Sequence, residues 1–283
     1  MLRAFTAAII LYFFCPTLNA KTINWLMHDF APYYILNGEN KHQGRDESII
    51  DLLEQQLPHI TFERTIIPSG KVLQELANSS KNSCALSLYK NEFRKERIYF
   101  TEESSTTGLS PSIAMHTSLS DSLQLPEAQP VSLLKLLADD KLTLGISMSR
   151  SYGREIDTLI NTTPDIALII RPTRDSLATL TYMLNLQRID ILLGYPSEHY
   201  YLAKTMHFTE SLTQRPLTEA PALSYGYIGC TKNKQGAEDI ALLNQQLKKI
   251  KQTQAYHSIL MRWLPEPLKA SLQARMQAIK NAT

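Results

Sequence analysis

Short runs in which apolar and polar residues alternate take turns along the chain with longer runs in which apolar residues recur at helical spacing. Residues 22–29 put Ile23, Trp25 and Met27 on one face, as a strand does, and the run breaks at Ala31-Pro32. Residues 48–57 carry Ile49, Ile50, Leu52, Leu53 and Leu57 as a helical stripe that Pro58 stops. Residues 59–67 read as a strand, 70–77 as a helix and 84–88 as a short buried strand. The alternation then starts again, with strands at 142–147, 165–170 and 189–193 separated by helices at 151–160 and 175–186. Between the two sets, residues 117–130 are polar and end on Pro130, which reads as a loop. Residues 223–230 add one more strand, and 235–263 read as helical on the strength of Ile240, Leu242, Leu243, Leu247 and Ile250. Two such units joined by strands predict an α/β protein of two lobes, each a mostly parallel sheet flanked by helices. A cleft is expected where the carboxyl ends of the strands face each other.

The first twenty residues follow another pattern. Arg3 supplies a positive charge, an apolar run too short to span a bilayer extends from Ala4 to Cys15, and Pro16 and a short polar stretch lead to Ala20. This predicts an export signal cleaved after Ala20. A lipid-modified cysteine would follow a small residue, whereas Phe14 precedes Cys15. Cleavage leaves Cys84 and Cys230 in a compartment where nothing keeps thiols reduced. Neither lies in a CxxC or beside histidines at metal spacing, so zinc and thioredoxin-like chemistry have no support.

Charge and composition narrow the partners. The chain of 283 residues has 29 Lys plus Arg against 27 Asp plus Glu with no block of like charge, which gives no stripe for nucleic acid. Charged residues at 20% and hydrophobic ones at 43% exclude a disordered chain. There is no Gly-x-Ser-x-Gly, and Ser69-Gly70-Lys71 lacks the upstream glycine of a phosphate loop. The seven histidines show no metal spacing, so neither a metal nor a cofactor is implied.

The segment order is joined by Asp29-Phe30-Ala31-Pro32-Tyr33, by Arg94 six residues before Phe100-Thr101, by Arg188-Ile189-Asp190 and by the Trp263-Leu264 ending. Together these resemble bacterial extracellular solute-binding proteins of family 3, and the resemblance covers nearly the whole mature chain. It implies the type II periplasmic-binding-protein fold, a venus flytrap with two hinge strands, in which lobe 1 comprises residues 21–114 and 224–283 and lobe 2 residues 115–223. It also implies a periplasmic monomer that captures a small-molecule ligand and presents it to a membrane permease of the ABC importer class. A membrane sensor protein is the alternative partner. Some relatives of the fold are exported dehydratases acting on cyclohexadienyl carboxylates, and in that reading Asp29 or Glu198 is the candidate acid. In this fold the strand returning from lobe 2 runs antiparallel beside the third strand of lobe 1, which implies a disulfide between Cys84 and Cys230.

The resemblance also assigns ligand contacts. Phe30 and Tyr33 stand where the family stacks a ring on the ligand, although by themselves they could equally cap the lobe core. Arg94 lies in a charged stretch, 90–97, that read alone is a solvated helix. It falls where the family places the arginine that holds the ligand carboxylate, and a guanidinium fork matches two carboxylate oxygens. Tyr89 and Tyr195 occupy the positions where amino-acid receptors carry a small hydroxyl residue and the aspartate for the ligand amine. Either Glu198 substitutes from the next turn or the ligand lacks an α-amine, because a buried ammonium without a carboxylate is poorly compensated. Ser149 and Ser151 sit at a strand-to-helix junction suited to an anion, or to a plain helix cap, and Arg150 between them faces ligand or solvent. The implied ligand is a small carboxylate.

Overall fold

The computed structural model describes residues 21–126, 129–148, 150–171 and 176–282; the expected export signal and Ser149 lie outside them. The chain runs β1 (Thr22–Met27), α1 (Arg45–Gln56), β2 (Thr61–Ile66), α2 (Val72–Leu76), β3 (Ser83–Leu88), α3 (Glu92–Lys95) and β4 (Ile98–Leu109). It continues with β5 (Ser112–His116), α4 (Thr117–Ser122), α5 (Leu133–Leu137), β6 (Leu144–Ser147), α6 (Arg154–Thr162), β7 (Leu168–Arg171), α7 (Ser176–Asn185), β8 (Ile191–Gly194), α8 (Pro196–Thr205) and β9 (Leu212–Pro216). It closes with β10 (Leu223–Thr231), α9 (Lys234–Ile250), α10 (Gln254–Met261) and α11 (Glu266–Ala282).

These strands form two five-stranded sheets, ordered β2-β1-β3-β10-β4 and β7-β6-β8-β5-β9. In the first, β1 pairs in parallel with β2 and β3, and β10 runs antiparallel between β3 and β4. In the second, β6 is parallel to β7 and β8, and β5 runs antiparallel between β8 and β9. The chain therefore crosses between the sheets twice, at 110–111 and at 217–222, and two lobes joined by two hinge connections result. β5, from Ser112 onward, lies wholly in the second sheet.

Each lobe buries its own core. Ile23, Trp25, Ile49, Ile50 and Leu53 fill the first, and Ile113, Met115, Leu144 and Ile191 the second, none more than 4% exposed. A further apolar cluster joins the lobes, packing Ile35 and Trp263 of lobe 1 against Leu177, Tyr201 and Leu202 of lobe 2. There the rings of Tyr201 and Trp263 meet edge to face at 4.8 Å, the arrangement their quadrupoles favour.

Local chemistry accounts for the departures from the hydrophobic pattern. β4 has no apolar alternation, because its buried positions Thr101, Ser105 and Thr106 are hydroxyl residues. Their groups are satisfied internally, as where Ser105 donates to the Gly226 carbonyl at 3.1 Å, and pairing with β10 fixes the strand. The expected loop at 117–130 begins with α4, where a ring nitrogen of His116 accepts from the Ser118 amide and Leu119 and Leu123 pack on the second core. The long helical stretch at 235–263 is two helices, since the Thr253 hydroxyl accepts from the Tyr256 amide and starts α10 afresh.

Cys84 and Cys230 stand directly opposite each other on antiparallel β3 and β10, with Cα atoms 4.1 Å apart, and a disulfide joins them as expected. It spans a sequence separation of 146 residues, so it ties the first lobe's central strands together across the whole of the second lobe. Replacing both with alanine is expected to lower the unfolding free energy by about 2–4 kcal/mol, measured by urea titration. Thiol titration of the native protein should detect neither sulfur.

Candidate functional site

Between the lobes lies a cavity of about 410 Å³, within the usual size range of small-molecule sites. Lobe 1 contributes the turn after β1, with Phe30, Tyr33 and Tyr34, together with Arg45 and Asp46 at the start of α1, and Tyr89 and Arg94 beyond β3. Lobe 2 contributes Ser147, Arg150 and Ser151 after β6, Arg171 at the end of β7, and Tyr195 and Ser197 after β8. These are the carboxyl ends of parallel strands, where chain reversals leave side chains and backbone groups free to meet a ligand.

One buried ion pair organises the second lobe's wall. The Arg150 guanidinium donates through Nη1 to Glu198 Oε2 at 2.9 Å and through Nη2 to Oε1, and the Tyr195 amide donates to the same Oε2 at 2.9 Å. Glu198 is fully buried at the first turn of α8, so its carboxylate also offsets the positive end of that helix. Gly194 permits the approach, since a Cβ there would lie 2.8 Å from His199 Cε1 and 3.1 Å from Glu198 Oε2. The Arg150 guanidinium lies within 4.9–5.3 Å of the ring centroids of Phe30, Tyr152 and Tyr195, so cation–π contacts surround a charge that is itself mostly buried. Phe30 comes from the opposite lobe, which makes Arg150 a contact between the lobes.

Two hydroxyl pairs also cross the cleft. Tyr89 and Tyr195 share a hydrogen bond at 2.6 Å, and Tyr33 meets Ser197 at 3.4 Å. Burial raises the pKa of Tyr33, Tyr89 and Tyr195, which keeps all three phenols neutral hydrogen-bonding groups. On lobe 1, Arg45 donates to Asp46 at 2.8 Å and to Ser87 at 3.1 Å, and it lies 4.2 Å from the Tyr33 ring centroid. Ser87 adopts a left-handed backbone (φ 59°) at that point, which turns the chain toward Tyr89.

Arg94 differs from Arg45 and Arg150. It donates to the Tyr89 carbonyl at 2.9 Å and forms no salt bridge with a carboxylate among the described residues. Burial lowers its pKa, with Asp157 offsetting part of that effect. The Asp157 oxygens are held by the Ser151 hydroxyl at 2.5 Å and the Tyr152 amide at 2.8 Å.

Phe30, Tyr33, Tyr89, Arg94, Ser151 and Tyr195 thus all line one cavity, brought together from both lobes. Glu198 stands behind Arg150 with both oxygens engaged, and it is not among the lining residues. Ser149 lies outside the described residues. Gly153 is the cap residue of α6, so Ser151 acts there as a donor to Asp157. Residue-level reading did not single out Arg45 and Arg171, although Arg171 ends a strand and that position was the available signal.

The sequence matches no family model and no curated protein. Solved structures do match in fold. A histidine kinase sensor domain with similarity to periplasmic binding proteins aligns with a TM-score of 0.64 at 16% identity, over 86% of this chain and 96% of its own. An ancestral arginine-binding protein bound to arginine aligns at 0.64 and 13% identity, over 87% and 99%. An ancestral amino acid-binding protein that is a precursor of cyclohexadienyl dehydratase aligns at 0.65 and 14% identity, over 87% and 96%. The chain therefore has the two-lobed type II periplasmic-binding-protein fold. Among the described residues no helix is long and apolar enough to cross a membrane.

Two stability tests follow from these buried groups. Glu198→Ala strands the Arg150 charge and is expected to cost about 3–5 kcal/mol in urea unfolding, most of it recovered when Arg150→Met is added. His28 and His199 are held to pKa values of about 4, by burial first and for both with Arg150 adding to it. Their neutral forms belong to the fold, so their contribution is complete above pH 6.5 and is lost as pH falls toward 4. The melting temperature should drop across that window, and His199→Gln should flatten the drop.

Proposed function

We propose that this protein is an exported solute-binding protein that captures a small carboxylate-bearing or amino-acid-like ligand between its lobes and presents it to a membrane partner of the ABC importer class. The observation that carries the reading is the cavity between the lobes, with Arg94 on its wall and no carboxylate among the described residues in salt-bridge contact with it. In that setting a ligand carboxylate would supply the missing counter-charge, and the guanidinium would receive it bidentately. Phe30 and Tyr33 would pack on the ligand's apolar part, and Ser151 and Tyr195 would face it from the other lobe. Contacts to both lobes favour the closed state over the open one, which is the form a partner recognises. The amino-acid receptors that share this fold support the reading. So does the apolar segment expected to direct residues 21–283 to the periplasm.

A sensory role is the second reading, and the likeness to a kinase sensor domain favours it. The two readings share the capture step and differ in the partner, so recovery of permease subunits or of a signalling protein from membranes with ligand-loaded protein separates them. The dehydratase reading draws on one neighbour's relation to such an enzyme. It receives less support, because Glu198 is locked to Arg150 and Asp29 is not among the cavity's lining residues.

A thermal-shift screen of the ligand-stripped protein against carboxylates, amino acids, polyamines and aromatic acids tests capture. A ligand at a hundred times its Kd adds about 2.7 kcal/mol and raises the melting point by several degrees. The expected hit is an organic acid whose shift disappears in Arg94→Ala.

A further inference from the structure

Among the described residues, the four arginines on the cavity wall divide into two kinds. Arg45 is paired with Asp46, and Arg150 with Glu198, so each of those charges is already compensated inside the protein. Arg94 and Arg171 have no carboxylate in salt-bridge contact among the described residues. Among the described residues the Arg94 guanidinium donates to the Tyr89 carbonyl at 2.9 Å and the Arg171 guanidinium to the Met183 sulfur at 3.3 Å. Arg171 Nε is buried with no hydrogen-bond partner among the described residues. A buried guanidinium N–H without an acceptor is costly, and native structures leave few such groups unless a ligand or water completes them.

The uncompensated charges are distributed one to each lobe. Arg94 follows β3 in lobe 1, and Arg171 ends β7 in lobe 2, where Ser147 and Ser176 share a 3.0 Å hydrogen bond on the same stretch of wall. Among the described residues that line the cavity the one carboxylate is Asp46, which serves Arg45; Glu198 is buried behind Arg150, and the Asp157 oxygens are held by the Ser151 hydroxyl and the Tyr152 amide.

We propose that the ligand is a dianion without an amine, a dicarboxylate of small size, with one anionic group on Arg94 and the other on Arg171. This deepens the capture reading and rests on it. Because the two arginines belong to different lobes, the second anionic group does more than add affinity. It carries the charge that draws lobe 2 onto a ligand already held by lobe 1, so Arg171 couples ligand charge to closure. An amino acid would bring an ammonium group next to two guanidinium charges with no carboxylate facing it, and it would be rejected for that reason.

The test compares ligands that share a carbon skeleton and differ in charge. Diacids from succinate to adipate are titrated calorimetrically beside the corresponding monoacids and α-amino diacids, for example glutarate beside valerate and glutamate. The expected result is that one diacid binds on the order of ten- to a hundredfold more tightly than its monoacid and its amino counterpart. Arg171→Gln should abolish the advantage of diacid over monoacid, and Arg171→Lys, which keeps the charge, should restore part of it. Monoacids or amino acids that bind as tightly as diacids would overturn the dianion assignment and leave capture standing. An unchanged diacid preference in Arg171→Gln would overturn the role of Arg171. If no carboxylate of any charge pattern binds, capture itself fails.

Discussion

The buried pair of Arg150 and Glu198 is the constraint on which the rest of the site depends. It settles three things at once. It fixes the start of α8 through the Tyr195 amide, it supplies a cationic surface on which Phe30 of the other lobe rests, and it engages both oxygens of Glu198. A buried ion pair contributes little net stability compared with an apolar replacement, because desolvation offsets the attraction. Its value here is geometric. A bidentate guanidinium held by a fully buried carboxylate has one orientation, and the aromatic rings around it take their places from that orientation.

Everything the cleft offers a ligand follows from which charges are already spent inside the protein. With Arg45 matched to Asp46 and Arg150 matched to Glu198, the cavity presents Arg94 and Arg171 across aromatic and hydroxyl surfaces. The bonds between Tyr89 and Tyr195 and between Tyr33 and Ser197, with the Trp263 cluster beside them, join the two lobes across the cleft. On the proposed capture reading, a ligand would add contacts to both walls, and its effect on closure could be no larger than the difference in its binding to the closed and open forms.

Much of this architecture was legible in the residues. The alternation at Ile23, Trp25 and Met27 and the stripe from Ile49 to Leu57 locate β1 and α1, because burial imposes a period that a linear pattern records. The cysteine pairing followed once the family fold supplied the strand order. By contrast, β4 carries Ser and Thr where a buried strand usually carries Val or Ile, so its place in the sheet comes from backbone pairing that no local pattern encodes. The ion pair of Arg150 and Glu198 was hidden for a different reason. The partners are 48 residues apart, and each read alone points elsewhere, Glu198 toward a ligand amine or acid catalysis and Arg150 toward ligand or solvent. Arg171 was hidden in the same way, since an arginine after an apolar strand is ordinary until the fold shows that the strand ends at a cavity.

The most direct test of capture between the lobes is a crystal structure of the protein grown with the tightest-binding organic acid. The account predicts electron density in the cavity between the lobes, with a carboxylate within hydrogen-bond distance of the Arg94 guanidinium and the bond between Arg150 and Glu198 intact. A ligand bound elsewhere with the cavity empty, or a ligand in the cavity that displaces Arg150 from Glu198 while leaving Arg94 untouched, would contradict it.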